Sequence, residues 1–180
     1  MKQHNFSAGP SILPPEVIKK AAESVLNLNN TGLSILEISH RSKGFVNIIN
    51  KARQLTKELL NIPDEYEVLF IQGGASLQFY MCALNIAQSN GLGGYIDTGT
   101  WSTKAIKEGG KVGKTIVVAS SEKEAYTYIP KNIILNESID YLHFTSNNTI
   151  YGTQFHDFSQ LSAIAKSNGA KLICDMSSDI

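Results

Sequence analysis

Two kinds of apolar pattern divide the chain. In residues 14–28 and 44–60, apolar positions recur at helical spacing among charged ones, and the pattern predicts two amphipathic helices. Pro14-Pro15-Glu16 opens the first, with proline in the first turn where no amide partner is lost, and the second ends before Pro63. Further on, the apolar residues gather into short continuous runs. Glu67–Gln72, Gly94–Asp97, Thr115–Ala119, Tyr141–Thr145 and Lys171–Asp175 read as strands, and helices are expected at Ala75–Ala87, Thr100–Gly109 and Asp157–Asn168. Ser120–Ser138 is the polar, irregular exception, and no internal repeat or low-complexity tract interrupts the alternation. Short apolar strands separated by helices predict an α/β fold, a three-layer sandwich with a mostly parallel sheet covered on both faces. Such sheets bind ligands beyond the carboxyl ends of their strands.

Composition changes this picture little. The 180 residues suffice for one substantial core or for most of one domain of a larger enzyme. Sixteen basic residues balance sixteen acidic ones, so nothing favours nucleic acid or an acidic membrane surface. No run approaches the roughly 20 apolar residues of a membrane span, and Met1-Lys2-Gln3-His4-Asn5-Phe6 leads into Gly-Pro rather than a signal-peptide core. The expected compartment is the cytoplasm. Cys82 and Cys174 are far apart and form no C-x-x-C pair, so neither a metal nor a redox site is expected.

The residues just past the expected strands carry the candidate chemistry. Gln72-Gly73-Gly74-Ala75-Ser76 joins a strand to a helix through two glycines. The free amides of Ala75 and Ser76, with the Ser76 hydroxyl, suit an anion at the positive end of the helix dipole. The other strand ends deliver Asp97-Thr98-Gly99-Thr100-Trp101, Ser146-Asn147-Asn148-Thr149 and Asp175. An amide nest, the chain's only tryptophan, a hydroxyl and a strand-end carboxylate together fit a flat cationic ring bearing a phosphate, that is, pyridoxal 5'-phosphate. The carboxylate would keep the pyridine nitrogen protonated, the indole would stack on the ring, and Thr149 would bond its phenolic oxygen. Each residue also has a plainer use: Ser76 as a helix cap, Trp101 as a core aromatic, Thr149 in a turn, Asp175 as a cap for the polar turn at Ser177 and Ser178.

Six motifs in order add a family. Asn5-Phe6-Ser7-Ala8-Gly9-Pro10 with Leu13-Pro14, Glu37-Ile38-Ser39-His40-Arg41-Ser42-Lys43-Gly44-Phe45, Gly73-Gly74-Ala75-Ser76-Leu77-Gln78-Phe79, Gly99-Thr100-Trp101, Ser146-Asn147-Asn148-Thr149-Ile150-Tyr151-Gly152 and Asp175-Met176-Ser177-Ser178 resemble the phosphoserine aminotransferases. The resemblance implies the large domain of the fold-type I, aspartate aminotransferase-like pyridoxal-phosphate enzymes, incomplete over residues 1–180, with the rest of that domain and the small domain absent. It also implies amino transfer between L-glutamate and 3-phosphohydroxypyruvate, yielding O-phospho-L-serine and 2-oxoglutarate in serine biosynthesis, by a cytoplasmic homodimer. In that family the backbone at Ala75 and Ser76 holds the cofactor phosphate, Trp101 stacks on the ring, Thr149 contacts it and Asp175 pairs with its nitrogen. Arg41, with His40 beside it, becomes a ligand of the substrate anions, since a guanidinium grips a carboxylate or phosphate with two hydrogen bonds.

The same resemblance exposes two departures. Some members carry an arginine just after the Gly-rich turn, where this chain has Ser76-Leu77. The lysine that forms the Schiff base and shuttles the proton is expected beyond Ile180, so no catalytic residue is assigned within the chain, which is expected to be inactive alone and to need the downstream half. Another fold-type I pyridoxal enzyme, or a noncatalytic phosphate-binding α/β module, remains the alternative.

Overall fold

The computed structural model describes residues 3–87 and 91–180, which fall into two compact units that meet between Ile71 and Gln72. The first holds the two amphipathic helices. Helix α1, Pro15–Leu26, starts with proline at its first position and ends at Asn27, whose extended backbone leads into a 3-10 turn at Leu28–Asn30. Helix α2, Lys43–Leu60, is capped by Ser42, whose Oγ accepts from the Phe45 amide at 3.3 Å. It stops at Asn61, in the left-handed conformation that asparagine tolerates. Leu28 is the only buried residue described in this unit. The apolar stripes of both helices are largely open, with Ile18 and Leu59 exposed.

The second unit is the sandwich. Its helices and strands are α3 (Gly74–Ile86), β1 (Leu92–Asp97), α4 (Thr100–Gly109), β2 (Lys114–Ser120), β3 (Tyr141–Thr145), β4 (Asn147–Asn148), β5 (Thr153–Gln154), α5 (Ser159–Asn168) and β6 (Lys171–Asp175). Four strands form a parallel sheet in the order β2-β1-β3-β6. Alternation along β3 feeds two cores. Tyr141 joins Phe79, Ala83, Tyr95 and Ala105 under α3 and α4, while Leu142 and Phe144 join Leu161 and Ala165 under α5. Both faces of the sheet are covered, as the continuous apolar runs require. Tyr95 and Tyr141 share a 2.7 Å hydrogen bond between their hydroxyls, which buries both without an orphaned polar atom. Gly109 is required beside them, because a β-carbon there would collide with the Tyr95 hydroxyl.

One expectation changes. The run Glu67–Gln72 is not a strand: no described segment pairs with it, and Leu69, Phe70 and Ile71 are exposed. Apolar residues alone do not make a strand, since its backbone groups need a ladder partner. The next helix therefore begins from an irregular segment, although its start at Gly74 lies within one residue of the expected position. The stretch Ser120–Ser138 is irregular as expected, with one 3-10 turn at Glu122–Glu124, yet Ile129, Ile133 and Leu135 pack against the α5-side core. Short strands β4 and β5 pair antiparallel directly after β3 and fix the turn that carries Thr149.

Candidate active site

The N-terminus of α3 is built as an open donor site. Gly73 and Gly74 take φ of 95° and 58°, conformations that glycine adopts without strain. Leu77 N–H is bonded to the Gly73 carbonyl at 3.2 Å, so the amides of Ala75 and Ser76 precede the first intrahelical bonds of this turn. No side chain caps the helix, and no acidic residue lies in its first turn. The Nζ of Lys104, on α4, donates to the Ser76 Oγ at 2.6 Å. A cation thus stands beside the positive end of a helix, an arrangement that favours an anion there.

Beyond β1 the chain turns through Gly99 into α4, and Asp97 fastens that turn from below. The Asp97 carboxylate accepts from the Ser102 hydroxyl at 2.9 Å, Thr103 at 3.0 Å and Tyr126 at 3.0 Å, and it is buried. The Trp101 indole N–H donates to Thr149 Oγ1 at 3.1 Å, and buried Asn148 ties the two turns together through Nδ2 to Thr98 Oγ1 at 2.8 Å. Trp101 and Thr149 are thereby brought together, as their positions after two adjacent strands predict.

Asp175 ends β6 with Oδ1 accepting from the Ser177 amide at 3.2 Å and the Ser177 hydroxyl at 2.6 Å. Its plainer role as a cap is therefore real. The same residue also lines a cavity of about 240 Å³ together with Ala75, Gln78, Phe79, His143 and Ser177. The cradle and the strand-end carboxylate open onto one space. His40 and Arg41 lie in the first unit, exposed in the turn before α2, with the Arg41 amide donating to Ser39 Oγ at 3.2 Å.

Two residues at the site were not among the candidates. Lys104 lies on a helix face that sequence treats as solvated, and only tertiary packing of α3 on α4 brings it to Ser76. His143 is the one titratable side chain facing the α3-side core from the middle of β3; it is buried, its pKa is lowered to about 4 by desolvation, and nearby Asp175 opposes that shift. Its signal in the sequence was a lone histidine between Leu142 and Phe144.

The described residues include no cluster of His, Cys, Asp and Glu that could hold a metal. Burial pushes both cysteine thiols upward, Cys174 to about 12, which keeps them protonated and poorly nucleophilic. With a parallel sheet covered by helices on both faces, and an uncapped helix N-terminus and a strand-end carboxylate open to one cavity, the chain belongs to the class-V aminotransferases, whose family model matches residues 3–180. Among the relatives it resembles are the phosphoserine aminotransferases of Flavobacterium johnsoniae, 52% identical over all of this chain and 49% of the relative, and Bacillus cereus, 51% identical over 98% and 48%. Solved structures agree. Phosphoserine aminotransferase from Bacillus circulans subsp. alkalophilus superposes with a TM-score of 0.84 at 41% identity, over 94% of this chain and 46% of that one. The pyridoxal-phosphate-bound enzyme from Trichomonas vaginalis gives 0.86 at 32%, over 99% and 49%. The chain spans about half the length of the relatives it matches.

Proposed function

We propose that this chain is the cofactor-binding part of a phosphoserine aminotransferase, which moves an amino group between L-glutamate and 3-phosphohydroxypyruvate and yields O-phospho-L-serine and 2-oxoglutarate. The observation that carries the reading is the cavity onto which both Ala75, at the amide cradle, and Asp175 open. Pyridoxal phosphate fits the residues present: an uncapped helix N-terminus and the Lys104 ammonium offer donors and charge to a phosphate, and a carboxylate faces the same cavity. When bound, the cofactor supplies an electron sink for chemistry at the amino-acid Cα.

The chain's residues supply the rest of the setting. Ala75 and Ser76 hold the phosphate with backbone amides, and Lys104 adds a positive charge beside them. Trp101 lies against the ring, kept in place by its bond to Thr149, which itself reaches the phenolic oxygen. Asp175 holds the proton on the ring nitrogen. His40 and Arg41 bind the anionic groups of glutamate and the phosphorylated partner. The lysine that moves the proton belongs to the part of the protein after Ile180, and the whole protein works as a cytoplasmic homodimer. No described helix is long and apolar enough to cross a membrane.

The test is the substrate preference of the whole protein. With pyridoxal phosphate and glutamate, transfer to 3-phosphohydroxypyruvate should exceed transfer to pyruvate or oxaloacetate by about 100-fold, because the Arg41 guanidinium and the donors beside it find no phosphate to bind in an acceptor that lacks one. A preference for an unphosphorylated oxo acid would assign the protein to another fold-type I activity. Phosphate binding without any amino transfer would leave a binding module.

A further inference from the structure

We propose that His143, helped by Thr145, is a positioning residue that holds the Asp175 carboxylate in line with the ring nitrogen of the cofactor. The inference rests on the cofactor site proposed above and concerns the groups that stand behind it. In the parallel pairing of β3 with β6, Thr145 is the direct partner of Asp175 and His143 the direct partner of Ile173. Paired residues of a parallel ladder project to the same face, and residues two apart share it. Ile173 packs in the core under α3, so His143, Thr145 and Asp175 all face α3 and the cavity that His143 and Asp175 line together. His143 is 4% exposed and Thr145 2%.

Both side chains are incompletely bonded. His143 Nδ1 and Thr145 Oγ1 are buried polar atoms without a hydrogen-bond partner among the described residues. Leaving such an atom unpaired costs about 1–3 kcal/mol, and buried orphans are rare in folded proteins. Two of them next to one carboxylate form a pattern. Both hydrogen bonds described for Asp175 end on Oδ1 and come from Ser177, which leaves Oδ2 as the oxygen for new partners. The His143 ring cannot turn freely to find a different one. Phe79 meets it edge-on at 5.7 Å between centroids, and Tyr95 lies against it at 5.3 Å.

The chemistry suits a neutral donor. An arginine or lysine behind Asp175 would compete with the protonated ring nitrogen for the carboxylate's charge. A buried, uncharged imidazole and a hydroxyl fix the carboxylate's direction and leave its full negative charge for the ring, as partners of ligating groups do in metal sites. An internal water between His143 and Thr145 is the competing explanation for the orphans, and it predicts no effect on the cofactor.

The experiment uses the whole protein loaded with pyridoxal phosphate labelled with 15N at the ring nitrogen. His143→Leu removes the donor; His143→Asn keeps an N–H near the Nδ1 position. In the unaltered protein the ring-nitrogen resonance should report a protonated nitrogen. His143→Leu should move it toward the unprotonated range and lower kcat by about 10–100-fold, with the KM for glutamate nearly unchanged, and His143→Asn should restore most of both. Equal behaviour of Leu and Asn, or a protonated nitrogen in both, would overturn the assignment. Should His143→Leu not fold, Thr145→Val at nearly constant volume should still move the resonance in the same direction, and an unmoved signal there would count against the proposal. Failure of the underlying site looks different: in that case the unaltered protein itself shows no bound, protonated ring.

Discussion

Asp175 and His143 sit on one face of neighbouring strands, yet the sequence disclosed them unequally. Asp175 was legible because it ends an apolar strand, where α/β sheets keep their chemistry; the same logic exposed Trp101 and Thr149. His143 and Lys104 were not, since their positions arise from strand register and from the packing of α3 on α4. Asp175→Ala in the whole protein should lower amino transfer by about 10²–10³-fold, the usual effect of deleting one group that stabilises developing charge. The melting temperature should hardly change, because the carboxylate is only half-buried and its described hydrogen bonds go to the adjoining Ser177. Near-normal activity would remove Asp175 from the site. His143 carries a pH prediction of its own. Its folded-state pKa of about 4 lies below the ordinary 6.5, so between those values the unfolded chain takes up a proton that the native state refuses. The stability due to neutral His143 is complete above pH 6.5 and is lost as pH falls toward 4, by up to about 3 kcal/mol. Urea unfolding at pH 7 and pH 4.5 should show that loss in the unaltered protein and a smaller one in His143→Leu; equal losses would contradict it.

At the level of elements, β3 and β6 were legible to the residue because their apolar runs are bounded by polar turns and the two strands pair with each other along their whole length. Strand β1 begins two residues earlier than its pattern suggests. Gly93 weakens strand propensity, but it admits the Tyr141 ring, which a β-carbon would strike. The run Glu67–Gln72 failed for the opposite reason: its composition is right and its partner is not among the described residues. The cradle depends most on Gly73. At φ 95° it holds a conformation that costs a side-chain-bearing residue about 1–2 kcal/mol, and a β-carbon would also meet the Leu77 side chain. Gly73→Ala should therefore weaken cofactor binding as well as lower the melting temperature. Calorimetric titration with pyridoxal phosphate and a thermal melt check the pair; an unchanged affinity would separate the glycine from phosphate binding.

The whole molecule carries much uncovered apolar surface for its length. Phe6 is 93% exposed and Leu69 66%, and strand β2 lies at an edge of the sheet with Val117 open. Open edges and apolar stripes seek partners. The 180 residues alone should therefore self-associate in sedimentation velocity, whereas a compact, stable monomer would contradict that expectation. The fold class was legible at this scale from the alternation of strands and helices, and the residues just past the strand ends suggested the same cofactor that the family implies. His40 and Arg41 were singled out only through resemblance, because an exposed turn before a helix has no chemistry of its own to mark it. The proposed site brings Ala75, Ser76, Lys104, Trp101, Thr149 and Asp175 to one pyridoxal phosphate. A crystal structure of the whole protein with the cofactor bound tests it most directly. The expected result is the phosphate on the Ala75 and Ser76 amides with Lys104 beside it, the ring against Trp101 and its nitrogen on Asp175; a cofactor seated elsewhere, or a ring nitrogen facing away from Asp175, would contradict the proposed site.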